Sequence, residues 1–160
     1  MIRGAVLGSP ITHSLSPRLH RAAFSYLGVE ASYEPIEVPA GSLASFIERR
    51  GAEFDYFSLT MPLKEEVLLL PIECDPLTTK IQSANTLWKK KDGWSLTSTD
   101  GSGFIAALAH AGLQTFNRVL ILGAGGTARA VAGAMDGISK EIHVLGRSSV
   151  RAPALKSSVT

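Results

Sequence analysis

The sequence predicts an α/β protein: an N-terminal α/β domain with a mixed sheet, followed by a single βαβ unit. Three observations carry that prediction. Short apolar runs alternate with helical stretches along most of the chain. A turn at Asp92-Gly93 puts an antiparallel pair among them, and a glycine cluster at Gly123-Ala124-Gly125-Gly126 joins an apolar run to a helix.

Arg3 to Leu7 is an apolar run punctuated by Gly8-Ser9-Pro10, as expected for a strand entering a loop. A helix starts at Ser16-Pro17, where the serine can accept from first-turn amides and the missing proline N–H costs nothing. Leu19, Ala22, Ala23, Tyr26 and Leu27 recur at the helical period, and Gly28 ends the run. Tyr33 to Val38 is strand-like, with Pro35 arguing for an edge position. Ser42 to Arg50 reads as a helix burying Leu43, Phe46 and Ile47, Phe54 to Leu59 as a strand, and Pro62 to Leu70 as a helix.

Asp75-Pro76 caps a further short helix. Ala84 to Lys89 and Trp94 to Ser98 flank the hairpin turn, and Asp100 can cap a helix carrying Phe104, Ile105 and Leu108 before Gly112 stops it. Arg118 to Leu122 resembles a buried parallel strand. After the glycine cluster come a helix to about Met135 and a strand from Ile142 to Leu145. The expected boundary lies between residues 113 and 118, dividing a domain at 1–113 from a partial Rossmann-type nucleotide-binding domain at 118–160. The second piece is short, because a complete dinucleotide domain needs roughly 100 residues or more.

Composition narrows the function classes. The 160 residues are 45% hydrophobic and 19% charged, with 15 Gly and 8 Pro, which suits a globular chain. A net charge of +2 gives no reason to expect a nucleic-acid or membrane partner, and Lys89-Lys90-Lys91 reads as a solvated hairpin end. Cys74 is the sole cysteine, so an intrachain disulfide is excluded and a reducing, cytoplasmic setting is expected. The amino terminus lacks the pattern of a secretory signal. His13, His20, His110 and His143 show no metal-ligand spacing, and no metal is expected.

The glycine loop carries the clearest chemistry. Gly123 permits a tight turn, Gly125 lets a pyrophosphate approach the backbone, and Gly126, Thr127 and Ala128 open a helix whose amides attract anions. Its Gly-x-Gly-Gly-x-Ala spacing departs from the commonest fingerprint, and a plain strand-to-helix turn is the alternative. The next strand ends at Gly146-Arg147-Ser148 with Arg151 behind it. Arginines replace the acidic residue that would bind a ribose 2′-hydroxyl, so the loop favours a 2′-phosphate or else the cations are merely solvated. Lys64 with Asp100 could exchange a proton with a substrate hydroxyl, although taken singly one opens a helix and the other caps one. Ser14 and Ser16 beside a helix start suit a carboxylate. Thr60 and Asn85 at strand edges could hold hydroxyls or satisfy loop backbone.

Together these segments resemble the shikimate dehydrogenase family, in order and over almost the whole chain. Ser14-Leu15-Ser16-Pro17 looks like its carboxylate-binding motif, and Thr60-Met61-Pro62-Leu63-Lys64 like the segment with its catalytic lysine. Ser83-Ala84-Asn85-Thr86-Leu87 and Ser98-Thr99-Asp100-Gly101 look like its substrate-holding segments. Residues 123–130 resemble its phosphate loop, with Ala124 inside it, and Gly146-Arg147-Ser148 with Arg151 resembles its NADP-selecting turn.

The resemblance implies reversible NADPH-dependent reduction of 3-dehydroshikimate to shikimate in aromatic amino-acid biosynthesis. Ser14 and Ser16 would bind the carboxylate and Thr60, Asn85 and Asp100 the ring hydroxyls. Lys64 with Asp100 would be catalytic. Ser58 and Gly146 stand where the family usually has asparagine. Family members also continue through the rest of the nucleotide domain, so the chain resembles a truncated member. A non-catalytic shikimate-binding or interaction module is the second expectation, with self-association through the incomplete second domain.

Overall fold

The computed structural model describes residues 1–147. The chain forms two compact units. The first comprises Met1–Cys74 with Ala84–Thr97, and the second Asp75–Ser83 with Ser98 onward.

The first unit is built on a six-stranded mixed sheet. Its strands are β1 (Ile2–Gly8), β2 (Ala31–Glu37), β3 (Tyr56–Leu59), β4 (Glu73–Cys74), β5 (Thr86–Lys90) and β6 (Gly93–Thr97), in the order β2-β1-β3-β5-β6-β4. β1 runs parallel to β2 and β3, and β5 and β6 form the expected antiparallel hairpin. β2 is at the edge, where Pro35 costs least. The helices are α1 (Ser16–Leu27), α2 (Leu43–Arg50) and α3 (Leu63–Glu66). One sheet face packs Ala5, Leu7, Phe57, Leu59, Leu87 and Leu96 against Leu43, Phe46, Leu63 and Val67, which forms the main core.

Several details differ from expectation. The helix expected over Pro62–Leu70 is one short turn of α followed by a 3₁₀ turn at Val67–Leu69. At α1 the residue preceding the helix is Leu15, and Ser16 is its first residue, so Ser16 does not cap by side chain. The apolar stripe of α1 points outward: Leu19, Tyr26 and Leu27 are 66%, 90% and 67% exposed. Pro17 is buried instead, and His20 and Phe24 are half-buried toward the sheet. A ring stack under the helix takes the place of aliphatic packing, and Gly4 on β1 leaves room for it, since a Cβ there would strike the Tyr56 ring.

The second unit holds α4 (Pro76–Ile81), α5 (Asp100–His110), β7 (Phe116–Leu122), α6 (Gly126–Met135) and β8 (Ser139–Leu145). β7 and β8 are parallel neighbours, as a βαβ crossover requires. Asp75 caps α4 as expected, its Oδ1 accepting from the Thr78 amide at 2.7 Å. Asp100, expected as a cap, is the first residue of α5, and Thr99 takes the cap position. Both α4 and α5 pack on α6, whereas the linear boundary placed them with the first domain. Small residues explain that packing. A Cβ on Gly101 would lie 2.8 Å from the Ala130 oxygen and 2.9 Å from the Ala134 Cβ.

Val119 and Ile121 are half-buried on the α6 side of β7. Leu120, Leu122 and Leu145 occupy the opposite, exposed face. Among the described residues no helix is long and apolar enough to cross a membrane.

Candidate functional site

Five of the expected substrate-site residues gather at one end of the first unit's sheet. Ser14 lies in the loop that leaves β1, where its amide donates to the Ile11 carbonyl at 3.0 Å. Its hydroxyl oxygen accepts from the Ser16 amide at 3.3 Å, so the two serines are linked at the start of α1. The Leu15 side chain cannot cap α1; its first turn is closed by the Ser14 hydroxyl on the Ser16 amide and by the Leu15 carbonyl, which accepts from the Arg18 and Leu19 amides at 3.0 and 3.1 Å.

Thr60 follows β3, its amide bonded to the Leu7 carbonyl at 2.9 Å. Gly8 abuts it: a Cβ there would meet the Thr60 methyl, and would come within 2.8 Å of the Met61 carbonyl. Absence of a side chain at Gly8 therefore lets the ends of β1 and β3 close together. The Leu63 amide donates back to the Thr60 carbonyl at 2.8 Å, turning the chain into α3 and bringing Lys64 one short turn away.

The half-buried Lys64 is anchored by its backbone, its carbonyl accepting from the Ala84 amide at 2.8 Å. Glu66 fixes the other side of α3. Its two carboxylate oxygens accept from the Gly41 and Leu43 amides, at 2.9 and 3.1 Å, at the start of α2. That contact is absent from the sequence expectations, since a glutamate 25 residues from its partner leaves no local pattern. Asn85 precedes β5, which is antiparallel to β3, so it falls at the same end of the sheet as Thr60. Its backbone bridges neighbours, donating to Thr97 at 3.1 Å and accepting from Leu59 at 2.7 Å, while its side-chain oxygen accepts from Thr86 at 2.9 Å. These hydroxyl, amide and ammonium groups suit an anionic polyol, and an open α/β sheet places ligands at this end.

In the second unit, Asp100 starts α5 and the Thr127 hydroxyl donates to its Oδ2 at 3.4 Å. The expected anion loop therefore opens a helix packed against the one that carries Asp100. Gly123 has φ +117°, a conformation that needs glycine, and Gly125 is extended at the N-cap of the ten-residue α6 with no side-chain cap. Open space surrounds the position of a Cβ on Gly125. Ala124 is buried, and Gly126 and Ala128 are half-buried. Uncapped amides with open backbone fit a dinucleotide's phosphates. Arg147 is exposed just beyond β8, while Ser148 and Arg151 lie outside the described residues. Among the described residues no cluster of three or more His, Cys, Asp or Glu could hold a metal ion.

Fold and site together define the class: a mixed-sheet α/β ligand domain leading into a Rossmann-type βαβ unit. The profile of the shikimate dehydrogenase substrate binding domain matches residues 6–87, and the chain belongs to the shikimate dehydrogenase family. It is 38% identical over 155 residues to the shikimate dehydrogenase (NADP(+)) of Thermus thermophilus, covering 97% of this chain and 59% of that protein. The Methanosarcina mazei shikimate dehydrogenase (NADP(+)) is 39% identical over 161 residues, covering 97% and 57%. The crystal structure of the Thermus thermophilus enzyme in complex with NADP(H) and shikimate superposes with TM-score 0.91 at 37% identity, over 99% of this chain and 61% of that one. The chain thus spans under two thirds of these relatives' length.

Proposed function

We propose that this chain carries the substrate-binding domain and the beginning of the NADP-binding domain of a shikimate dehydrogenase, which reduces 3-dehydroshikimate reversibly to shikimate. The observation that carries the proposal is the gathering of Ser14, Ser16, Thr60, Lys64 and Asn85 at one end of a sheet, in a chain similar to an enzyme crystallised with NADP(H) and shikimate. Ser14 and Ser16, joined by the bond from the Ser16 amide to the Ser14 hydroxyl oxygen, receive the carboxylate through their hydroxyls. Thr60 and Asn85 hold ring hydroxyls, as does Asp100.

NADPH, when bound, supplies the hydride for the carbonyl carbon. The Lys64 ammonium gives a proton to the carbonyl oxygen, which becomes the new hydroxyl, and in the reverse direction the neutral amine takes it back. Asp100 orients that hydroxyl. The glycine loop holds the pyrophosphate through the amides that open α6, and Arg147 with Arg151 selects the 2′-phosphate.

The same proposal places the protein in the cytoplasm. It also includes self-association of the polypeptide through the exposed Leu120, Leu122 and Leu145 face, which sedimentation of the parent against Leu120→Glu would read out. The catalytic proposal is tested in a protein that joins this chain to the rest of a nucleotide domain. Steady NADPH oxidation dependent on 3-dehydroshikimate is expected. Its absence from a folded form that binds NADPH would refute it.

A further inference from the structure

An aromatic cluster beneath α1 extends the proposed shikimate site, and the inference rests on that reading. His20 stands one helical turn from Ser16, so the two side chains share a face of α1. Its Nδ1 lies 2.9 Å from the Tyr56 hydroxyl. Its ring stacks on Tyr33 at 3.8 Å and 7° and meets Phe24 edge-on at 5.8 Å. Tyr56 precedes Thr60 by four residues, an even spacing that keeps both on one face along the strand direction of β3.

Burial lowers the pKa of His20 and raises those of Tyr56 and Tyr33, with the Ser58 hydroxyl opposing the rise at Tyr33. A neutral imidazole and a neutral phenol therefore meet at neutral pH. The remaining anchors of α1, Pro17 and Phe24, are apolar. Apolar contact resists separation but has no preferred direction, so it leaves the helix able to slide along its axis. A hydrogen bond is directional and fixes that register.

We propose that His20 and Tyr56 are positioning residues that set the separation of the Ser14 and Ser16 hydroxyls from Thr60, and through it the grip on the substrate's carboxylate. Neither touches the substrate. The bond joins α1, one turn behind the serines, to β3, one short stretch before the threonine. Losing the bond lets the carboxylate end of the site drift while Lys64 and Asn85, tied to the sheet by backbone bonds, stay in place.

The test uses the whole 160-residue chain and its Tyr56→Phe variant, which keeps the ring and removes the hydroxyl. Amide exchange at Arg18 and Leu19, both bonded to the Leu15 carbonyl, is expected to quicken about tenfold while exchange in α2 is unchanged. Calorimetric affinity for shikimate is expected to fall about fivefold, the worth of one neutral hydrogen bond. The methyl ester of shikimate, lacking the charged carboxylate, should lose much less. As a second arm, His20→Asn, which offers an amide oxygen near the place of Nδ1, should recover part of the affinity lost in His20→Ala. Unchanged exchange at Arg18 and Leu19, or equal losses for acid and ester, would overturn the role given to the pair alone. Failure of the parent to bind shikimate would overturn the functional reading, and the pair's substrate role with it.

Discussion

Two glycines in α5 make a matched test of how that helix is held. At Gly103 a Cβ would enter open space, so Gly103→Ala gains helix propensity and reduces the freedom of the unfolded chain, worth about 0.5–1 kcal/mol. At Gly101 the same substitution puts a methyl 2.8 Å from the Ala130 oxygen and 2.9 Å from the Ala134 Cβ. Ordinary contact begins near about 3.5 Å, so α5 and α6 must part by several tenths of an ångström or more. The obstacles are backbone and a short side chain, neither of which can rotate away, and overpacking of this sort costs about 1–3 kcal/mol. The propensity gain is small by comparison in the first turn, so Gly101→Ala is expected to destabilise the second unit by about 1–2 kcal/mol while Gly103→Ala stabilises it. Urea unfolding combined with amide exchange in α5 and α6 reads both. Equal stability for the two variants would refute direct helix contact at Gly101.

Much of the fold is legible locally. The Asp75-Pro76 cap, the Asp92-Gly93 hairpin, the edge position of β2 and the glycine-loop βαβ unit each follow from a short stretch of residues whose backbone requirements are specific. What is not legible depends on distant partners. The apolar stripe of α1 predicts a buried face, yet the helix seats itself through His20, because Tyr56 satisfies the ring nitrogen and Tyr33 stacks on the ring. The membership of α4 and α5 in the second unit escapes for a similar reason. Gly101 and Gly133 are points of close approach, Gly133 lying against Ile81, and no local pattern marks them as such. For the proposed site, the residues come from the family resemblance, which gives neither the Glu66 clamp on α2 nor the Thr127 contact to Asp100.

Three further outcomes are expected. In a form with a complete nucleotide domain, Lys64→Ala should lower turnover about 100-fold or more with a smaller change in shikimate affinity, and a rate within about twofold of the parent would remove the lysine from the chemistry. Glu66→Gln keeps one acceptor but loses the charge that meets two amides at the start of α2, and should cost about 0.5–1.5 kcal/mol in urea unfolding. Because burial among Tyr33, Tyr56 and Phe24 depresses His20, the unfolded chain binds its proton first as pH falls through about 6.5. Stability contributed by the neutral ring is thus present above that pH and is lost as pH drops toward the lowered folded value. His20→Gln should flatten this acid limb as pH falls below about 6.5, and an unaltered limb would assign it to other groups.

Shift mapping of shikimate onto the isotope-labelled 160-residue chain bears most directly on the substrate site. Amide resonances of Ser14, Ser16, Thr60, Lys64 and Asn85 should move together and saturate with one affinity, while those of Gly51 and Trp94, which pack against each other away from this loop cluster, stay still. Saturable shifts confined to other residues, or none at these five under conditions where the first unit is folded, would contradict the assignment of this sheet end as the shikimate site.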